Sequence, residues 1–195
     1  MNRRRLAVVA IVLFVIAAGW FLFVGLPAWY TARREQVVAE AAKPAASQAA
    51  VRKISATIYY VGDDGMALVP VQKEVSFSAT VPEQARAIIE AQLAPAAPPH
   101  VSAIPAGVAL RDVYVTERGD AFVDLSADIV TKHPGGSLDE IFTVYTLVNA
   151  LTVNLPAIQR VQILVDGKEV DTLAGHVDLR HPLAKSLDWV VHDTH

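Results

Sequence analysis

The sequence contains no cysteine. That excludes a disulfide-stapled scaffold, a thiol nucleophile, thiolate metal sites and an acylated lipoprotein anchor. It does not fix the redox compartment, because a domain with an adequate core needs no disulfides. Aromatic residues make up only 7% of the chain. Most of its Tyr and Phe fall at core or strand positions, which leaves little for a glycan-stacking surface. Positive charge is sparse beyond residue 53: Ile54–His195 holds nine Lys and Arg against eighteen Asp and Glu. That balance argues against nucleic-acid binding by this part of the chain. No Gly-x-Ser-x-Gly turn frames a nucleophile, and no loop spaces its oxygen ligands as a calcium motif does.

The apolar content, in contrast, is high. It is 53% of 195 residues, with a mean hydropathy of +0.34. Much of it lies in Leu6–Leu26, 21 residues without a break. A helix needs about 20 apolar residues to cross the hydrocarbon core of a bilayer. Arg3, Arg4 and Arg5 precede the run with no acidic residue among them, and Trp20, Trp29 and Tyr30 suit the far interface. The positive-inside rule therefore places the amino terminus in the cytoplasm and residues 31–195 outside it, in a single pass. A cleaved signal peptide has a shorter apolar core and a small-x-small site, and here Pro27, Trp29 and Tyr30 occupy that place. A retained anchor is the expectation.

Residues 31–53 are rich in alanine, with five basic and two acidic residues, and read as a partly flexible linker. The expected organisation is a cytoplasmic tail 1–5, an anchor 6–30, the linker 31–53, one folded domain 54–184 and a tail 185–195.

Within the domain the periodicity is clear. Ile54–Val61 alternates, Gly62-Asp63-Asp64-Gly65 turns the chain, and Ala67–Val71 and Lys73–Ser78 return, with Val75 and Phe77 inward. Thr80, Pro82 and Glu83 form a helix start with a capping box. The helix runs to about Leu93 and buries Ala85, Ile88, Ile89 and Gln92 or Leu93. Val108–Thr116 and Asp120–Ser126 form a second strand pair. Ser137 and Glu140 read as a second capping box, opening a helix with Ile141, Val144, Tyr145, Val148, Leu151 and Leu155 on its core stripe. Pro156 ends it. Val161–Val165 and Glu169–Leu173 flank the turn Asp166-Gly167. The order, strand pair, helix, strand pair, helix, strand pair, predicts an α+β fold: a mixed or antiparallel sheet with two helices packed on one face.

Several side-chain groups invite a chemical reading. Gly135-Gly136-Ser137 at a helix start resembles an anion site, but Asp139 and Glu140 already complement the helix dipole. His176, Asp178 and His181 invite a metal, yet period two puts His181 on the opposite strand face. Asp120, Asp124 and Asp128 read as exposed positions alternating with Ala121, Val123 and Leu125. Ser126 and Ser137 lack a nucleophile's setting. No catalytic residue, cofactor or metal is expected. The stretch Ala94–Gly107 (APAAPPHVSAIPAG) is uncharged and proline-rich. It either packs over the sheet edge or forms a stiff docking ridge through Pro95, Pro98, Pro99, Val101, Ile104 and Pro105.

A resemblance follows from six segments in register: Ser102–Gly107, Asp120–Ser126, Thr152–Pro156, Val161–Gly167, Gly175–Leu179 and Pro182-Leu183. In order and spacing they resemble the GerMN domain of GerM-type sporulation and germination proteins, over residues 54–184. The end of the first helix departs from that pattern, reading Gln92-Leu93-Ala94-Pro95 in place of Leu-Leu-x-Gly-Pro. The chain also has room for one such domain where GerM carries two. The resemblance implies a fold similar to ring-building modules and an envelope scaffold that works by protein–protein assembly, with itself or with other envelope proteins. A cell-wall glycan or lipid-binding module is the alternative, and a hydrolase the third.

Overall fold

The computed structural model describes residues 52–191, together with Leu13 and Trp20, which are helical. Apart from those two residues, the segment 6–30 expected as an anchor lies outside the described residues, as do residues 1–5, nearly all of the expected linker and the last four residues of the chain. Among the described residues, no helix is long and apolar enough to cross a membrane.

The chain opens with a hairpin, β1 (Lys53–Val61) and β2 (Leu68–Ser76), paired in unbroken register from Lys53↔Ser76 to Val61↔Leu68. The two return strands expected from the sequence are one strand. Pro70 lies inside β2, where a residue without an N–H is tolerated because it faces the edge away from β1. Phe77 points outward, not inward: it is 40% exposed. Arg52 covers it, with the guanidinium 4.4 Å from the ring centroid.

Helix α1 (Val81–Leu93) starts as its sequence dictates, with the Thr80 side chain accepting the Glu83 N–H at 3.4 Å and Pro in the first turn. It buries Gln84, Ala85, Ile88, Ile89 and Gln92. The strands β3 (Leu110–Val115) and β4 (Asp120–Leu125) follow, then a single turn of helix, α2 (Asp128–Thr131), which the periodicity did not signal. Helix α3 (Ser137–Asn154) leads into β5 (Arg160–Val165), and the short strands β6 (Lys168–Glu169) and β7 (Leu183–Ala184) complete the order.

The strands form two sheets and not one. The hairpin β1–β2 stands alone, and the order β3-β4-β5-β6 makes the second sheet, with β7 also on β5. β4 and β5 run parallel, joined through α3, while the other pairs are antiparallel. The helices are therefore not confined to one face of one sheet. α1 and α3 pack on each other; α1 touches β1, β2 and β3, and α3 touches β1, β5 and β7. This explains why α3 is buried well beyond one stripe, with Phe142, Thr143, Thr146, Leu147, Asn149 and Ala150 inside as well as Val144, Val148 and Leu151. The helix pair lies between two strand systems, and the apolar core (Ile88, Ile89, Val123, Leu125, Val161, Ile163) is continuous through it.

β6 is shorter than the expected Glu169–Leu173. The chain leaves the ladder after Glu169 and returns at Leu183. Gln162, only 2% exposed, bridges the gap by donating its side-chain amide to the Leu179 carbonyl. The Asp166-Gly167 turn is as expected, with φ of 48° and 76° at its two residues.

Candidate functional site

The proline-rich connection divides into two halves. Pro95, Pro98, Pro99, His100 and Val101 are exposed. Ile104, 7% exposed, belongs to the core, and Pro105 is half-buried. Ile104 thus anchors the loop and offers no surface.

Both ends of the exposed half are fixed. Leu93 and Ala94 close α1 before it, where the Ala94 N–H donates to the Glu90 carbonyl at 3.0 Å. At the other end the Val61 N–H donates to the Val101 carbonyl at 2.9 Å, and the His100 imidazole stacks on Tyr60 with centroids 4.8 Å apart. Burial raises the pKa of Tyr60, which keeps its phenol protonated. The inner half is held by a relay. Gly135 N–H donates to His133 Nδ1 at 3.0 Å, which leaves Nε2 of the neutral ring as donor to Thr143 Oγ1 at 3.1 Å. Thr143 in turn donates to the Ala103 carbonyl at 2.7 Å. These bonds shape a shallow cavity of about 350 Å³ walled by Ser102, Ala103, Ile104, Pro105, Lys132 and Pro134. The loop is therefore a fixed, uncharged ridge seated on the core.

The polar groups weighed for chemistry are engaged elsewhere. Asp124 is not an exposed position: it is 6% exposed, its Oδ1 accepts the Gly167 N–H at 2.7 Å and its Oδ2 accepts Arg111 Nε at 3.1 Å. It holds the β5–β6 turn against β3. Asp120 pairs with Arg160 through two bonds of 2.7 and 3.2 Å, and Asp128 with Lys132 at 3.1 Å. Ser126 Oγ accepts the Ala109 N–H at 3.0 Å. The Asp178 carboxylate is held well below the usual range, chiefly by its side-chain hydrogen bonds to Arg180, while the His176 ring is engaged by Glu140. Among the described residues no group of three or more His, Asp or Glu side chains could hold a metal ion.

Two features went unnoticed in the sequence. The first is Glu140, expected to cap the start of α3. The residue before α3 is instead Gly136, with no side-chain cap bond, and Glu140 is fully buried. Its Oε1 accepts the N–H groups of Leu173 and Ala174 at 2.8 and 2.9 Å, and its Oε2 accepts the His176 N–H at 2.8 Å and Nδ1 at 3.1 Å. Burial opposes ionisation, but the three backbone donors and the imidazole outweigh it and lower the pKa below its ordinary 4.5. The carboxylate thus fastens the strandless stretch after β6 to α3.

The second is the outer edge of β1. The Tyr59 N–H and carbonyl pair with the Gln92 amide, both at 2.8 Å, and those of Thr57 pair with Asn154 at 2.8 and 2.7 Å. With Val101 on Val61, alternate backbone groups along that edge are occupied. An edge strand is closed here by two side chains and a loop where a neighbouring strand would otherwise sit. A polar residue at each helix's last turn was the only signal.

Comparison with known proteins now decides the kinship. Residues 57–171, more than half of the chain, match the Germane family, described by its role in sporulation and spore germination. The chain belongs to the Germane family. Its folded part is a GerMN-type domain. It is similar to a candidate lipoprotein from Clostridium perfringens at 20% identity and a TM-score of 0.50, over 70% of this chain and 90% of that one. It is also similar to the tandem GerMN domains of the Bacillus subtilis sporulation protein GerM, at 17% identity and a TM-score of 0.53, over 68% of this chain. The match spans about half, 46%, of that tandem. At these identities the likeness concerns the fold. Among curated proteins nothing matches the chain.

Proposed function

We propose that this Germane-family chain is a membrane-anchored, extracytoplasmic scaffold of the bacterial envelope, acting by protein–protein contact and not by catalysis. In this reading Leu6–Leu26 is a single-pass anchor with the amino terminus in the cytoplasm, and the linker sets the reach of the GerMN-type domain. The names of its relatives, a lipoprotein and a sporulation protein, support an envelope setting. The sequence holds no cysteine to carry a lipoprotein's acyl chain, which supports the apolar run as the anchor.

The observation that carries the reading is the ridge Pro95–Val101: exposed, uncharged and pinned at both ends. Stiffness lowers the entropy cost of docking, and confinement to one membrane raises the effective concentration of weakly binding partners. The internal engagement of Asp124, Ser126, Glu140 and Asp178 supports a role in shape over one in chemistry. The test is photo-crosslinking from position 98 in intact membranes, followed by mass spectrometry. Crosslinks to a second copy or to one recurrent envelope protein are expected, lost when Pro95 and Pro98 are both changed to Glu. Crosslinking that is absent, or unaffected by the charges, would overturn the proposal.

A further inference from the structure

The closed end of the hairpin is built unlike the rest of the surface. Val61 and Leu68 are partners at the last pair of the ladder. Val101 bridges Val61 on one side, and Val190 bridges Leu68 on the other, where the Val191 N–H donates to the Leu68 carbonyl at 2.9 Å. Four chain segments therefore lie side by side across about 14 Å, at the usual strand spacing of about 4.8 Å. Around this row stand three exposed apolar side chains: Met66 at 67%, Val101 at 60% and Val191 at 45%.

The charge at this end has one sign. Asp63 and Asp64 occupy the turn and are exposed. Asp64 Oδ1 accepts the Met66 N–H at 3.0 Å, which fixes the turn and presents the methionine. None of the segments that build this end, 61–69, 98–104 and 186–191, contains a Lys or Arg. The closed end lies at the far end of β1 from Lys53, about 26 Å away at about 3.3 Å per residue.

We infer that this end of the hairpin is a docking surface for a partner protein segment that carries aliphatic side chains beside Lys or Arg. The inference rests on the scaffold reading and deepens it by giving the partner's chemistry, with Val101 shared between the ridge and the tip. The apolar residues supply burial, while the two carboxylates select for positive charge and against acidic competitors.

The test uses the full chain in detergent and three labelled peptides of equal length, alternating Leu/Lys, Leu/Glu or Ser/Lys, followed by fluorescence anisotropy. Only the Leu/Lys peptide is expected to bind, and its affinity should fall several-fold between 50 and 300 mM salt. Asp63→Lys, which keeps the Asp64 turn bond, and Met66→Ser should each weaken binding at least five-fold with an unchanged far-UV circular dichroism spectrum. Equal binding by these variants, no binding by Leu/Lys, or binding by Leu/Glu or Ser/Lys at equal strength would overturn the inference. Pro95→Glu/Pro98→Glu should leave peptide binding within two-fold. Failure of the ridge crosslinks with intact peptide binding, or the reverse, therefore tells the two proposals apart.

Discussion

Replacing Glu140 by Gln removes the charge that holds the 173–176 segment while keeping the side chain's size. The carboxylate accepts four hydrogen bonds inside the protein with none of its surface exposed. A glutamine can serve two of those donors with its oxygen, but its NH₂ then faces the other two donor to donor. Hydrogen bonds to a charged group contribute about 1.5–3 kcal/mol each, so the loss of two is about 3–6 kcal/mol. Against a total of about 5–15 kcal/mol for a domain, that is severe. With a urea slope of about 2 kcal/mol per molar, the midpoint should fall by about 2 M. The pH dependence has a definite sign. Because the folded pKa lies below the ordinary 4.5, Glu140 stabilises the fold fully above that value, and the contribution is lost as pH falls through the lower folded pKa. The Gln variant should therefore show a flatter acid limb than the parent. A midpoint shift under about 0.3 M at pH 7, or an unchanged acid limb, would refute the assignment.

Other substitutions probe the frame. Gln92→Ala strips both partners from the Tyr59 backbone and should cost about 2–4 kcal/mol in urea unfolding; Asn154→Ala should open the same β1 edge at Thr57 and raise self-association in light scattering. Thr146 Oγ1 is buried without a hydrogen-bond partner, so Thr146→Val should stabilise the domain by about 1 kcal/mol, seen as a melting temperature a few degrees higher.

What could be read in the sequence was what depends on near neighbours. Thr80 and Pro82 start α1, the spacing of Ile88 and Ile89 sets its buried face, and Asp166-Gly167 closes its turn because few residues adopt that conformation. The separation into two sheets was not legible, because alternation shows that a strand has two faces but not which sheet it joins. The parallel β4–β5 pairing follows from the α3 crossover, and it becomes definite only when helix and strands are placed together. Glu140 was misassigned because a glutamate in a first helical turn looks the same whether it caps its own helix or reaches 33 residues along the chain. Gln92 and Asn154 likewise gave no sign that they bond to β1. For the ridge, composition revealed stiffness and lack of charge, while the division at Val101 and the burial of Ile104 required the fold.

On the scaffold reading, function runs through the shape of an uncharged surface and not through a reactive side chain. The direct measurement is activity in the cell, normalised to folding stability, for full-length Pro98→Glu beside single alanine variants of Asp124, Ser126, His176 and Asp178. A scaffold of this kind should leave Pro98→Glu folded but without function, while each alanine variant loses activity only in proportion to lost stability. A stably folded alanine variant without function, beside a fully active Pro98→Glu, would contradict it and point to a chemical site.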